Sequence, residues 1–333
     1  MEDQTFILRR GSTWLRMADP RAAEPYYRGT RFDRTGVILD LESGGHRFVS
    51  QWFKRYDPYM HDAVGGPAEE FTQIGYQAFG RPSGASIGET ESSPLAGKSP
   101  LSSSPARPFL KIGVGVLKGD AEEYDRFKLY EVLDPGRLEV TVGEAEASFR
   151  HVLDGYYDYR KTVQIPDQVG GLIISHALRN CSAAPLECHV YCHNFFVLDG
   201  ATTGRATRFE FPFRPVGDWR APYDSVRLSE RGIIFNRDLA PGESVFMGNL
   251  RPADSLHLAQ QGGYSFKLSN LANGLSVEAC CDRAMDYAVF WSNHEVSCLE
   301  PYIPLRILPG ETATWTLSYR LLHQYQEAHV CAV

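Results

Sequence analysis

The chain has no excess of positive charge, no long apolar run, no regular cysteine pattern and little helical periodicity. Its 333 residues carry 34 Lys+Arg against 41 Asp+Glu, a formal charge of −7. No net positive field is available to draw in a polyanion, so nucleic acid is not an expected partner. No stretch approaches the roughly 18 consecutive apolar residues of a membrane span, and a membrane is not an expected partner either. The N-terminus, MEDQTFILRRGSTW, has acidic residues where a signal peptide has a cationic end, and its apolar stretch is only Phe6 to Leu8. These absences lead to the expectation of a soluble, cytoplasmic protein. The seven cysteines, Cys181, Cys188, Cys192, Cys280, Cys281, Cys298 and Cys331, are odd in number and fit no spaced pair of Cys-x-x-Cys motifs, so reduced, mostly structural thiols are expected.

What the chain does contain is globular material. Apolar residues make up 43% and charged residues 23%, enough for a large core, and 30 Gly with 20 Pro make it slightly turn-rich. From Phe109 onward, runs rich in β-branched and aromatic residues, often alternating with period two, read as antiparallel strands. These are Leu138–Val142, Lys161–Ile165, Leu172–Leu178, Leu186–Phe196, Arg208–Phe213, Tyr264–Leu268, Leu275–Cys280, Ala288–Ser292 and Thr312–Leu321. Between them, Asp134-Pro-Gly, Ala240-Pro-Gly, Ala272-Asn-Gly and Leu308-Pro-Gly suit tight reversals. Strand does not alternate with helix, which disfavours a parallel α/β sheet. Short helices are expected only at Ala68–Phe79, where Phe71, Ile74 and Ala78 stand at i, i+3, i+7, and at Asp254–Gln261 after an Asp cap. Pro82–Arg107, with eight Ser and four Pro, cannot bury enough surface to offset its chain entropy and reads as a disordered surface insertion. Residues 1–333 are accordingly expected to form one large β domain interrupted at 82–107.

Two stretches concentrate chemistry. In Glu187-Cys-His-Val-Tyr-Cys-His-Asn194, period two puts Glu187, His189, Tyr191 and His193 on one face of a strand. Such a face suits the lining of a wet groove; the competing reading is a set of mutually satisfied groups on an exposed sheet face. Glu300, in Cys298-Leu-Glu-Pro301, follows an apolar-leaning run and precedes a proline, so it is expected at a strand end or rim, where partial desolvation raises its pKa toward general-base range. The competing reading is a solvated turn carboxylate. His189 and His193, four apart on a strand, are about 13 Å apart by strand rise and are not expected to share a metal ion.

These two stretches carry a resemblance. Cys192-His-Asn-Phe-Phe-Val-Leu198 resembles the Asn-His-Ser/Thr-Tyr-Phe-Asn-Leu signature of the aldose 1-epimerase (galactose mutarotase-like) superfamily, and Cys298-Leu-Glu-Pro301 with the following Pro-Gly-Glu turn resembles that superfamily's C-terminal element. The resemblance implies an all-β fold, a large antiparallel β-sandwich of the supersandwich type. It implies His193 as general acid, Glu300 as general base, no cofactor or metal, and a small-molecule carbohydrate as substrate. The family's Gly-Gly-Xaa-Pro run is echoed at Gly65-Gly-Pro67. Its sugar-binding histidine has no counterpart, and Lys111 falls near that place.

The implied activity is a carbohydrate isomerase that interconverts sugar anomers. A lyase or tautomerase acting on a keto-sugar or glycoside with the same pair, and a non-catalytic carbohydrate-binding protein, are the alternatives. Candidate substrate-binding residues are Arg31, His61, Lys111, His189, Tyr191 and Trp219, the first two beside Gly/Pro turns and Trp219 as a stacking platform. Surface ion pairs and turn roles compete for Arg31 and His61, and a structural cap for Trp219. Gly113-Val-Gly115 is too short for a nucleotide loop and is expected within a strand.

Overall fold

A computed structural model of the chain describes residues 4–74, 108–120, 124–167, 170–254 and 262–323. The expected helix at Asp254–Gln261 and the Ser/Pro-rich insertion at 82–107 fall largely or wholly outside the described residues. Two sheets dominate, with ten and six strands. The ten-stranded sheet runs, in spatial order, Val226–Ser229, Gly232–Phe235, Thr207–Glu210, Tyr264–Asn270, Leu275–Cys281, Thr312–His323, Gly171–Asn180, Tyr157–Gln164, Glu146–Leu153 and Arg137–Val142. The six-stranded sheet runs Pro215–Trp219, Ser244–Pro252, Tyr287–Asn293, Ser297–Ile307, Leu186–His193 and Ala68–Phe71. A four-stranded sheet from Thr5 to Val49 and a three-stranded one formed by Phe109–Lys111, Gly115–Leu117 and Val132–Asp134 complete the fold. Pairing within the two main sheets is antiparallel. Apart from Gln4, helical backbone among the described residues is confined to the single turn Leu198–Gly200.

Period-two alternation does what the sequence pattern requires. Along Thr312–His323, Ala313, Trp315, Leu317, Tyr319 and Leu321 are buried, and they meet Leu172, Ile174 and Leu178 of the neighbouring strand in one continuous core. That core is closed from the other side by Cys188, Val190, Cys192, Leu299, Ile303, Leu305 and Ile307 of the six-stranded sheet. Three of the four expected reversals, at Ala240, Ala272 and Leu308, are turns, whereas Asp134-Pro-Gly links strands of two different sheets; each has its glycine at positive φ: Gly136 at 65°, Gly242 at 82°, Gly274 at 72° and Gly310 at 80°. A Cβ-bearing residue is strained there, which explains glycine at the second turn position. Gly113 and Val114 lie in the turn between two short strands, and only Gly115 falls in one, as the first residue of Gly115–Leu117.

The expected helix at Ala68–Phe79 is replaced, over its described part, by the edge strand Ala68–Phe71, all four residues of which are buried. The reason is electrostatic. Successive strand residues point to opposite faces, and the register sets Glu69 opposite Cys192 and Glu70 opposite Tyr191. Glu69 turns into the sandwich, where it binds Lys161 Nζ and accepts from His176 Nε2 at 3.1 Å. Asp33 joins at 3.4 Å from Lys161 Nζ and accepts from Tyr159 at 3.1 Å and from Thr35 Oγ1 at 2.7 Å. Glu70 turns to the opposite face. A helix would place the two carboxylates about 100° apart on one cylinder, and they could not be neutralised from opposite sides.

Breaking a buried ion pair by removing one partner leaves an uncompensated charge. Lys161→Met is therefore expected to destabilise the protein by about 3–5 kcal/mol in urea denaturation; a loss under about 1 kcal/mol, the range of an exposed pair, would show that this network is not structurally required.

Candidate active site

The face of the six-stranded sheet turned away from the main core carries the chemistry. Tyr191 lies directly opposite Tyr302 in the pairing of Leu186–His193 with Ser297–Ile307. Two residues further along the antiparallel pair, His193 faces Glu300, and its Nε2 stands 2.9 Å from Glu300 Oε1. The register thus brings together the acid and base candidates, 107 positions apart in the chain by their numbering. Both are nearly inaccessible, His193 at 5% and Glu300 at 4% exposure. In place of the expected open groove, this face is covered: Tyr26, Tyr27, Phe32, Ala63 and Val64 from the preceding loops are buried together with Phe195, Val296 and Cys298. Glu300 also sits inside its strand rather than at a rim. The imidazole is stacked on Phe195 at 3.8 Å between centroids, with the edge of Phe32 at 5.8 Å.

Beside the pair lies a second charged group. Arg31 Nε donates to Glu70 Oε2 at 2.7 Å and its Nη2 to Tyr191 OH at 3.1 Å. Lys111 Nζ donates to Glu70 Oε1 at 3.1 Å and to the Phe71 carbonyl at 2.6 Å. Tyr191 OH also donates to Glu70, and Arg126 Nη1 reaches Tyr191 OH at 3.0 Å and Tyr302 OH at 3.4 Å. Tyr191, Tyr302 and Tyr287 form a stack with centroid spacings of 4.2 and 4.6 Å.

Of the candidate substrate-binding residues, the fold gathers Arg31, Lys111 and Tyr191 next to His193 and Glu300. His61 stands at the margin, 3.4 Å from Asp62 and edge-on to Phe127 at 4.8 Å. His189 lies further out on the same face, with Nε2 3.3 Å from Asp286 Oδ2. Trp219 is not brought to the site: it packs on Tyr223 and Phe290 at the sheet's edge. Sequence reasoning missed Glu70, Arg126, Tyr302 and Cys298. Period two counted from Glu300 places Cys298 and Tyr302 on its face, a signal that was present; nothing local marks Arg126.

Burial and charge compete at each titratable group. Burial alone would raise Glu300, but the charge and hydrogen bond of His193, with Arg31 and Arg126, outweigh it and hold the carboxyl below its ordinary value. This reverses the upward shift expected from partial desolvation. Burial lowers His193 below its ordinary value despite Glu300, so near neutral pH the pair is a carboxylate beside a neutral imidazole. Burial also opposes ionisation of Glu70, yet Lys111, Arg126 and Arg31 hold it well below the carboxylate range. Lys111 is pulled down by burial to about 8 against the attraction of Glu70.

His193, Cys298 and Glu300 are the one group of potential metal donors among the described residues, with donor atoms within 4.8 Å of one another. The imidazole, however, turns Nδ1 to the thiol at 2.7 Å and Nε2 to the carboxylate. The two nitrogen lone pairs diverge, so the ring bridges sulfur and oxygen as a hydrogen-bonded chain and does not share one centre with both. A cleft of about 750 Å³ lies elsewhere, on the ten-stranded sheet beside Lys267, Glu278, Cys280 and Arg320. Its ion pairs are solvent-exposed ones of the kind that contribute little, and it includes none of the acid–base candidates.

No family model matches the sequence, and no curated protein matches it. Solved structures do match. A galactose mutarotase related enzyme from Lactobacillus acidophilus is 13% identical, with 98% of this chain and 100% of that chain covered and a TM-score of 0.52. The chain has the galactose mutarotase-like fold. A candidate aldose 1-epimerase from Escherichia coli K12 is similar at 11% identity, with 96% and 99% covered and a TM-score of 0.50. A protein from Synechocystis sp. PCC 6803 is similar at 10% identity, with 96% of each chain covered and a TM-score of 0.52. At these identities the likeness establishes architecture, and it spans nearly the whole chain.

The buried Glu69 carboxylate makes the stability of the fold depend on pH. Burial opposes ionisation of Glu69, but Lys161 and His176 bring it down from 4.5 to about 2. A group depressed on folding stabilises fully above its unfolded pKa and loses that contribution as pH falls toward its folded one. The urea midpoint is expected to fall between pH 4.5 and 2, and Glu69→Gln to flatten this limb; an identical slope in the variant would refute the assignment.

Proposed function

We propose that the protein is a carbohydrate isomerase of the aldose 1-epimerase type, with Glu300 as general base and His193 as general acid. The observation that carries this reading is the buried 2.9 Å contact between His193 Nε2 and Glu300 Oε1 on adjacent strands. It occurs in a fold shared with structures named for that activity. Ring opening of an aldose needs one group to take the anomeric hydroxyl's proton and another to give a proton to the ring oxygen. Glu300 is ionised and can accept, and His193 carries a hydrogen on the nitrogen facing it. As Glu300 takes the hydroxyl proton, the O1 electron pair forms the carbonyl, the C1–O5 bond breaks, and O5 takes the Nε2 proton. Rotation about C1–C2 followed by the reverse transfers closes the ring on the other face. The step needs no cofactor because nothing but protons moves between protein and sugar.

The position of Arg31, Lys111, Tyr191 and His61 supports roles in holding the sugar. Phe127 is 61% exposed, lies 5.5 Å from the Arg31 guanidinium, and with His61 forms the approach side. Binding requires the sugar to part the His193–Glu300 hydrogen bond and take its place between the two groups.

Anomeric exchange of freshly dissolved aldoses, followed by magnetisation-transfer NMR, tests the reading. Glu300→Gln and His193→Ala are each expected to lower kcat by about 10²–10⁴-fold with the fold intact by circular dichroism. Full activity in Glu300→Gln would overturn the mechanism. In deuterated water no carbon-bound deuterium is expected; its appearance in the sugar would instead indicate proton abstraction from carbon, the tautomerase or lyase chemistry.

A further inference from the structure

We propose that Cys298 is a positioning residue of this acid–base unit: its thiol donates to Nδ1 of His193, holds the ring in the orientation that turns the Nε2 proton to Glu300, and resupplies the ring from behind when that proton leaves. The inference rests on the reading of His193 and Glu300 as the acid–base pair. Its geometric basis is a chain of contacts through one imidazole. Cys298 Sγ lies 2.7 Å from Nδ1, Glu300 Oε1 lies 2.9 Å from Nε2, and sulfur and oxygen are 3.9 Å apart. Cys298 stands two residues before Glu300 on the same strand, so period two aims both side chains at the same ring. Cys298 is completely buried, and Phe195 is stacked on the imidazole with Phe32 packed edge-on against it.

The direction of each hydrogen bond follows from donor inventory. An ionised carboxylate only accepts, so Nε2 must carry the hydrogen that faces Glu300. A neutral ring then has a bare Nδ1, and of the two acceptors within reach of the thiol's single hydrogen it is the nearer, at 2.7 Å against 3.9 Å for Glu300 Oε1. Burial, reinforced by the Glu300 charge, raises the Cys298 thiol far above its ordinary value, so the thiol holds its hydrogen and supplies it.

The proton balance during turnover closes. When the sugar's O5 takes the Nε2 proton, the ring would be left as an imidazolate. Transfer of the Sγ proton to Nδ1 keeps it neutral and leaves a thiolate. At that moment Glu300 has already become neutral by taking the anomeric proton, and the carboxylate that disfavoured a second negative charge 3.9 Å away is gone. Ring closure runs each transfer backward and restores thiol, imidazole and carboxylate with no net consumption. A neutral histidine without such a donor could act only after protonation to imidazolium, a form that His193's depressed pKa makes scarce at neutral pH.

Two measurements on the full chain test this. Nitrogen-15 NMR of labelled histidine reads the tautomer without any turnover: the wild type is expected to show His193 protonated at Nε2 with a hydrogen-bonded Nδ1, and Cys298→Ala to keep the Nε2 proton but lose the hydrogen-bonded shift of Nδ1. A wild-type ring protonated at Nδ1, or an Nδ1 shift unchanged in Cys298→Ala, would overturn the proposal. In anomeric exchange, Cys298→Ala is expected to lower kcat at pH 7.5 roughly 100-fold with little change in KM and to shift the pH optimum to the acid side, while Cys298→Ser restores most of the neutral-pH rate. A uniform loss with the pH profile unmoved and no rescue by Ser would mean that Cys298 only fills space. If the wild type exchanges no sugar, the acid–base reading fails, whereas the NMR result still decides the thiol–imidazole contact.

Discussion

Two consecutive carboxylates on a four-residue edge strand, each buried and each neutralised from an opposite side, are the constraint on which the rest of the site depends. Glu69 is drawn into the sandwich by Lys161 and His176, and Glu70 outward by Arg31 and Lys111. Burying one carboxylate without partners is prohibitive, so neither can exchange faces with the other. The strand's register against Leu186–His193 is therefore fixed by charge as well as by backbone hydrogen bonds, and that register positions Tyr191 and His193. The same device ties down the segment above. The Asp33 amide donates to the Glu69 carbonyl at 2.8 Å, Asp33 contributes its carboxylate to the inner network, and Arg31, two residues earlier, bonds to the outer one. Gly113 packs where a Cβ would run into the Asp33 carboxylate, which brings the turn after Lys111 close enough for the lysine to reach Glu70.

Much of this was legible in the sequence. Alternation identified nine of the 23 strands among the described residues, and Pro or Asn before Gly identified three turns, because both are local consequences of backbone geometry. His193 and Glu300 were legible through the short motifs around them. Other features depended on partners distant in the chain. The Ala68–Phe79 pattern satisfies helical spacing on its own, and only Lys161, His176, Arg31 and Lys111, none of them nearby, convert its first four residues to a strand. The shift at Glu300 was misjudged for the same reason. Local sequence shows the desolvating run around it, which raises a carboxylate, but not the His193, Arg31 and Arg126 charges that lower it.

Cys298 shows how burial class alone misleads. A fully buried free thiol is ordinarily inert packing, and four of the six described cysteines are buried. Cys188 and Cys192 face the main core, and burial pushes the Cys188 thiol up to about 12. Cys298 is as buried as these, but it lies on the other face of the sheet, against an imidazole rather than among aliphatic side chains. Which face a residue occupies, set by a period of two, separates a space-filling sulfur from one placed to hold a proton.

The closure of the site over His193 and Glu300 fits the proposed chemistry. In the resting protein the two groups satisfy each other, as buried polar atoms must. An aldose presents a donor, its anomeric hydroxyl, beside an acceptor, its ring oxygen, and these are the complements of a carboxylate and an N–H. Inserting the sugar replaces one protein–protein hydrogen bond with two protein–sugar bonds, so no buried polar atom is stranded when the pair separates. A molecule lacking either the free hydroxyl or the ring oxygen would leave one partner unpaired in a buried site, a penalty of about 1–3 kcal/mol or more for a charged group. On this reading, selectivity for a cyclic sugar with a free anomeric hydroxyl follows from the burial of the pair itself, before any contact to the remaining hydroxyls is counted.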